Sequence, residues 1–207
     1  MADADGCSDI RPEKNGITLV FFGRIEPELE DALANSLEEL VGSLRESLPV
    51  RPGISRRYMA VPENIPPHNQ ERVFLSSLEP VGGNLVLGVT NTGFYDPYLG
   101  RHLFSYGRVG GSGVLSTYRF RKETDTRRQF LDRMGKQMVK TLALACTLDS
   151  CPDTGCIVSY HRWARDLDKN RYVCPSCRNG LLWSLAFFME STAGNTPVVP
   201  GRNGEWL

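Results

Sequence analysis

Four cysteines carry the clearest chemistry in this chain. Cys151 and Cys156 are separated by four residues, and Cys174 and Cys177 enclose Pro175 and Ser176, so two short-spaced pairs lie within 27 residues. Two such pairs joined by a loop bring four thiolates to the tetrahedral arrangement that Zn²⁺ takes in closed structural sites. Four sulfur ligands leave no open position for water, so the expectation is one structural zinc with no chemistry of its own. The other reading of these residues is two disulfides or four separately buried thiols. Of the two remaining cysteines, Cys7 falls in a polar leading stretch. Cys146 lies beside the apolar face of a helix, where a small core residue is the simpler reading than a nucleophile.

Composition narrows the setting. The 207 residues carry 24 Lys+Arg against 24 Asp+Glu, a net charge of zero, which argues against a general nucleic-acid binder. No apolar run reaches membrane-spanning length; the best, Leu181 to Met189, is interrupted by Ser184. The acidic start, Met1 to Gly6, shows no secretion signal, so a cytoplasmic location is expected, with thiols kept reduced. A hydrophobic content of 41% is enough for a buried core.

The elements that must position these residues follow from periodicity. Gly16 to Phe22 reads as a buried strand. Pro27 then opens a helix whose Leu29, Leu33, Leu37, Leu40 and Leu44 draw one apolar stripe, ended by Pro49. Val50 to Met59 is a weaker strand, His68 to Leu78 a short helix and Asn84 to Thr90 a strong buried strand. Leu103 to Val109 and Gly113 to Arg119 alternate as two more strands, joined by Gly110-Gly111-Ser112. The run from Gly107 to Gly113 lacks the spacing and the following helix of a phosphate loop. Thr124 to Cys146 reads as a long helix with Phe130, Leu131, Met134, Met138, Leu142 and Ala145 as its core face, and Cys177 to about Met189 as a short apolar one. Strands alternating with helices give an α/β layer structure with a mixed sheet. The expected organisation is a flexible tail at 1–15, one domain at 16–190 with the cysteine lobe inside 151–177, and a second tail at 191–207.

The cysteine pattern resembles the archaemetzincins, zinc peptidases that carry H-E-x-x-H-x-x-G-x-x-H-C-x4-C-x-M and a later C-x-x-C. Cys151 to Cys156 and Cys174 to Cys177 match the second half of that motif. Upstream, Leu85-Val-Leu-Gly-Val-Thr90 is similar to the strand before the family's active-site rim. Pro97-Tyr-Leu-Gly-Arg-His-Leu-Phe-Ser-Tyr-Gly107 with Gly110-Gly111 is similar to its edge-strand region, and Val114-Leu-Ser-Thr-Tyr-Arg119 to the strand leading to the catalytic helix. The similarity covers about residues 16–183 and implies a metzincin-like mixed α/β (α+β) fold with helices on the sheet and a small four-cysteine zinc lobe.

The first half of the motif is different. Counting back from Cys151, the family histidines fall on Lys140, Leu144 and Ser150, the catalytic glutamate on Thr141, the glycine on Thr147 and the methionine of the turn on Val158. A peptidase of this class needs imidazoles on zinc and a carboxylate to take a proton from bound water, and none of them stands here. The only histidines, His68, His102 and His161, are widely spaced.

The resemblance therefore implies an archaemetzincin-like chain without the catalytic zinc, not a peptidase by the family mechanism. Its cleft is expected to be re-used for a peptide, a protein partner or a small molecule. Lys140 and Thr141 would re-line the cleft floor, and Arg101, His102 and Tyr106 would lie on or near the edge strand that in the family pairs with extended peptide. Arg108 is placed with them. The bland readings are a solvated helix lysine and ordinary edge-strand polarity. The alternative to a binding protein is a repurposed enzyme acting without catalytic zinc on a small-molecule or amide-bearing substrate. Its candidate catalytic groups are His161, Tyr160 and Lys140. For Tyr160 and His161 the competing reading is a solvated loop that packs Trp163 against the zinc lobe.

Overall fold

The apolar run Gly16–Phe22 forms strand β1 at the heart of a five-stranded sheet, and all seven of its residues are buried. In this computed structural model the residues described are 16–48, 52–66, 70–78, 84–108 and 110–190; both expected tails, Cys7 and His68 lie outside them. Helix α1 (Pro27–Leu44) follows, with its five stripe leucines buried, and a 3₁₀ turn at Arg45–Ser47 ends it. Strand β2 (Gly53–Met59), helix α2 (Gln70–Ser76) and strand β3 (Leu85–Thr90) come next.

The sheet order is β2-β1-β3-β7-β6, where β6 is Ser105–Arg108 and β7 is Ser112–Ser116. β2, β1, β3 and β7 run parallel, while β6 is antiparallel to β7 and forms the edge, so the sheet is mixed. Its inner strands β1, β3 and β7 are buried on both faces because two cores flank them, while the outer strands β2 and β6 are partly exposed. Ile17, Leu19, Phe21, Leu85, Leu87 and Leu115 face the larger core, with α1 and helix α4 (Arg127–Ala145). Val20, Phe22, Val86 and Val114 face a smaller one built on Phe74 of α2 and on Phe94. Thr126 caps α4 by accepting from the Gln129 amide at 3.3 Å. Helix α5 (Pro175–Glu190) completes the larger core through Leu181 and Leu185. Among the described residues no helix is long and apolar enough to cross a membrane.

Two segments differ from the sequence expectation. The second strand of the expected pair stops at Ser116, and Tyr118–Glu123 forms a short helix, α3. The hydroxyl of Ser116 donates to the Thr92 carbonyl at 2.6 Å and that of Thr117 to Asn91 Oδ1 at 2.5 Å, which turns the chain out of the sheet. The alternation Tyr118-Arg119-Phe120-Arg121 imitates a strand but is too short to distinguish one. Second, Arg101 and His102 do not lie on the sheet edge. They belong to strand β5 (Arg101–Leu103), paired antiparallel with β4 (Phe94–Asp96) in a separate hairpin. Asp96 Oδ1 holds that turn by accepting from the Tyr98 and Leu99 amides at 2.9 and 3.0 Å. Tyr106 does lie on the edge strand, β6.

Candidate metal centre and cleft

α4 positions both halves of the candidate site. At its C-terminus the Thr147 amide donates to the Leu144 carbonyl at 3.0 Å and the Leu148 amide to the Ala143 carbonyl at 2.9 Å, a paired closure that needs a left-handed residue between helix and loop. Thr147 supplies it with φ +61°, an unfavourable conformation for a β-branched residue. The chain then runs into the cysteine loop. Asp153 shapes that loop, accepting from the Gly155 amide at its side chain (2.9 Å) and from the Cys156 amide at its carbonyl (3.0 Å). The Cys151 amide donates to the Val158 carbonyl at 3.2 Å, and the Ile157 amide to the Tyr172 carbonyl at 2.8 Å. Pro175 opens α5 directly behind Cys174, which brings Cys177 within the first turn.

The four sulfurs of Cys151, Cys156, Cys174 and Cys177 all lie within 4.8 Å of one another, with Cys151 and Cys174 3.6 Å apart. A zinc bonded at about 2.3 Å to four sulfurs sets them about 3.8 Å apart, so the cluster has the right size for one ion. The backbone amides of Cys177 and Cys174 point at Cys174 and Cys156 Sγ, at 3.5 and 3.4 Å. The amide of Cys177 draws the Cys174 thiol below its ordinary range, whereas burial raises Cys156 and Cys177, so thiolates at those two positions would need the charge of a bound cation. All four cysteines are unpaired thiols, as is buried Cys146, which burial pushes up to about 12. Among the described residues this is the one group of His, Cys, Asp and Glu that could hold a metal. Its donor set fits zinc.

The other half of α4 carries a buried polar chain. Lys140 is 7% exposed, and its ammonium donates to the Ser159 carbonyl and lies 3.3 Å from Nδ1 of His161. His161 Nε2 lies 2.6 Å from Gln137 Oε1, and Gln137 Nε2 donates to Ser105 Oγ at 2.6 Å. One direction satisfies every link: the ammonium donates to Nδ1, Nε2–H donates to the amide oxygen, and the amide NH₂ donates to the hydroxyl. Burial and the Lys140 charge hold His161 down to about 3, so the imidazole is neutral. Burial also brings Lys140 down to about 8. Thr141, expected beside Lys140 on the cleft floor, is instead fully buried. Its hydroxyl donates to the Gln137 carbonyl at 2.8 Å and its methyl packs on Gly113 of β7.

Tyr160 does not join this chain. It is exposed, and its hydroxyl accepts from the Arg101 guanidinium. His102 lies between Tyr118 and Tyr95, with ring centroids at 4.6 and 5.3 Å, and burial and then the Lys122 and Arg119 charges hold it below its ordinary range. Two residues that sequence reasoning missed organise the surroundings. Arg119 donates to the His102 carbonyl at 3.0 Å, to Glu123 and to the Arg162 carbonyl, and stacks 4.3 Å over Phe104 and 5.3 Å from Trp163. It thereby ties the hairpin to the 161–164 loop, and Trp163 rests on this arginine. Gln137 is the other. Neither carries a local signal, since Arg119 stands beside Arg121 and Lys122 and Gln137 beside Lys136, so only the tertiary structure singles them out.

No family model matches the chain, and no curated protein matches it in sequence. Solved structures do match. The archaemetzincin of Methanopyrus kandleri has a TM-score of 0.66 at 22% identity, covering 84% of this chain and 97% of that one. The archaemetzincin of Archaeoglobus fulgidus, complexed with malonate, has a TM-score of 0.61 at 19% identity, covering 80% and 99%. A zinc-dependent peptidase of Methanocorpusculum labreanum has a TM-score of 0.60 at 20% identity, covering 80% and 100%. The chain has an archaemetzincin-like fold. Within that fold the resemblance in sequence sets a peptidase zinc on positions 140, 144 and 150. The residues there do not fit one: a lysine ammonium repels a cation, Leu144 has no donor atom, and Ser150 offers only a neutral hydroxyl.

Proposed function

We propose that this protein has given up peptide hydrolysis by zinc and uses its archaemetzincin-like scaffold to bind, holding an extended peptide or a partner's segment along β6. The observation that carries this reading is the Lys140 ammonium, buried between the Ser159 carbonyl and His161 on the helix that would carry the metal ligands. A fixed cation fills that region, so the chain's own residues oppose a divalent ion there. The four-cysteine cluster would hold one structural zinc, cross-linking the end of α4, the 151–159 loop and α5. Among the described residues no strand pairs with the outer edge of β6, whose amides and carbonyls can take an added strand. The alternative of a repurposed enzyme gains little from His161, since both ring nitrogens are engaged and the side chain is only 7% exposed. We place the protein in the cytoplasm, where thiols stay reduced.

The test pairs two assays on zinc-loaded protein. Fluorescence polarisation with a degenerate pool of labelled six-residue peptides should show saturable binding, and cleavage of quenched peptides should stay at background with added zinc. Zinc-dependent cleavage that Lys140→Ala leaves intact would overturn the reading.

A further inference from the structure

A cleft of about 820 Å³ lies on the other face of β6 from α4, between α2, the β4–β5 turn and the edge strand. Tyr95, Tyr98 and Tyr106 line it together with Glu71. Glu71 is 7% exposed, its carboxylate oxygens open onto the cleft, and among the described residues no hydrogen bond or ion pair ties them. A carboxylate whose side chain is largely enclosed and whose oxygens open only onto the cleft, with no counter-charge in contact, attracts a cation there more strongly than a fully solvated one would. We propose that this cleft binds an organic cation, the ammonium or guanidinium head of a lysine or arginine side chain, presented by a peptide paired with β6. The proposal rests on the binding reading above and names the chemistry its ligand would carry.

The remaining charges do not cancel this preference. Asp96 also lines the cleft, but its Oδ1 is committed to the Tyr98 and Leu99 amides. Arg72 and Arg108 line the rim, where water and salt screen them, whereas Glu71 acts from a low-dielectric position. Tyrosine rings add attraction for a cation, strongest where water is excluded. Burial, with Glu71 and Asp96 adding to it, pushes the Tyr106 phenol up to about 12, so it stays neutral and keeps its O–H as a donor. Geometry favours a side chain over a free ion. In a strand paired with β6, every second side chain falls on the face that Tyr106 shares with the smaller core. Its aliphatic stem can then lie along Leu75, which also lines the cleft, while the head reaches Glu71.

The experiment compares two labelled six-residue peptides of threonine and valine, one with a central lysine and one with norleucine there, on the wild-type chain and on Glu71→Gln. Tighter binding of the lysine peptide by about 10-fold or more, with the preference abolished in Glu71→Gln, is the expected result. Equal binding of both peptides, unchanged in Glu71→Gln, would overturn the cation site while leaving peptide binding intact. If neither peptide binds, butylammonium is titrated by NMR: shifts at Tyr106 that vanish in Glu71→Gln would keep the cation site and overturn the peptide reading. No shift would overturn both.

Discussion

Lys140 Nζ lies 3.3 Å from Nδ1 of His161, and the proton between them belongs to the lysine. Two cationic groups at that distance inside the fold would repel, and burial penalises both charges. The arrangement works because His161 is neutral and turns its Nδ1 lone pair toward the ammonium, while Ser159 offers a carbonyl. The pair pins the 159–161 loop to α4.

This pairing makes stability depend on pH. His161 titrates at about 3 in the folded chain and near 6.5 when unfolded. Between those values the unfolded chain binds a proton that the folded chain does not. The histidine's contribution is therefore full above about pH 6.5 and is lost as pH falls toward 3, on the order of 5 kcal/mol over the whole span. Cysteine protonation also destabilises in acid, so the measurement is the difference between wild type and His161→Gln in urea unfolding. That difference should shrink steadily from pH 6.5 downward; a constant difference would mean that His161 is not held neutral. Lys140 acts in another window. Its pKa is lowered to about 8, so stability should rise between about pH 8 and 10.5, and Lys140→Met should flatten that rise.

The cysteine cluster predicts one zinc per chain. Four thiolates within 4.8 Å of one another bind the metal in the folded state only, so binding energy becomes folding energy. Elemental analysis should return about one zinc, and Cys174→Ser should lower the melting temperature and release the metal. A second tightly held zinc would contradict the proposed loss of the peptidase site. Unchanged stability of Cys174→Ser would remove the case for a metal lobe.

What the sequence made legible was periodic or tightly spaced. β1 matches its apolar run at both ends, the leucine stripe of α1 is buried, and the four cysteines converge. The hairpin β4–β5 escaped because its strands are three residues each and its turn depends on one aspartate. The polar chain escaped for a different reason. Lys140 and His161 were legible as individual candidates, but they lie 21 residues apart in the chain, and nothing in local pattern marks Gln137 as the link. The Glu71 cleft is formed by three segments distant in sequence, so only tertiary structure assembles it.

Gly107 sets how closely the edge strand approaches α4. A Cβ there would meet the Leu144 carbonyl carbon and oxygen at 2.5 Å, and these are backbone atoms that no rotamer change can move aside. Gly107→Ala should destabilise the chain by roughly 2 kcal/mol and weaken peptide binding, because β6 must shift. The denaturant midpoint checks the first effect and polarisation the second. A neutral substitution would mean that β6 sits further from the helix.

Thr147 offers the opposite sign. The resemblance sets a glycine at this position, and the turn has kept a glycine's conformation, φ +61°, without the glycine. A β-branched side chain in the left-handed region costs roughly 1 kcal/mol or more. The residue is exposed, so removing its side chain sacrifices little packing. Thr147→Gly should therefore stabilise the protein by about 1 kcal/mol despite the entropy that glycine adds to the unfolded chain, raising the melting temperature by roughly 3 °C. Thr147→Ala, which keeps a Cβ, should gain less. If glycine proved no better than threonine, the left-handed closure of α4 would be wrong, and with it the path that carries the chain from Lys140 to Cys151.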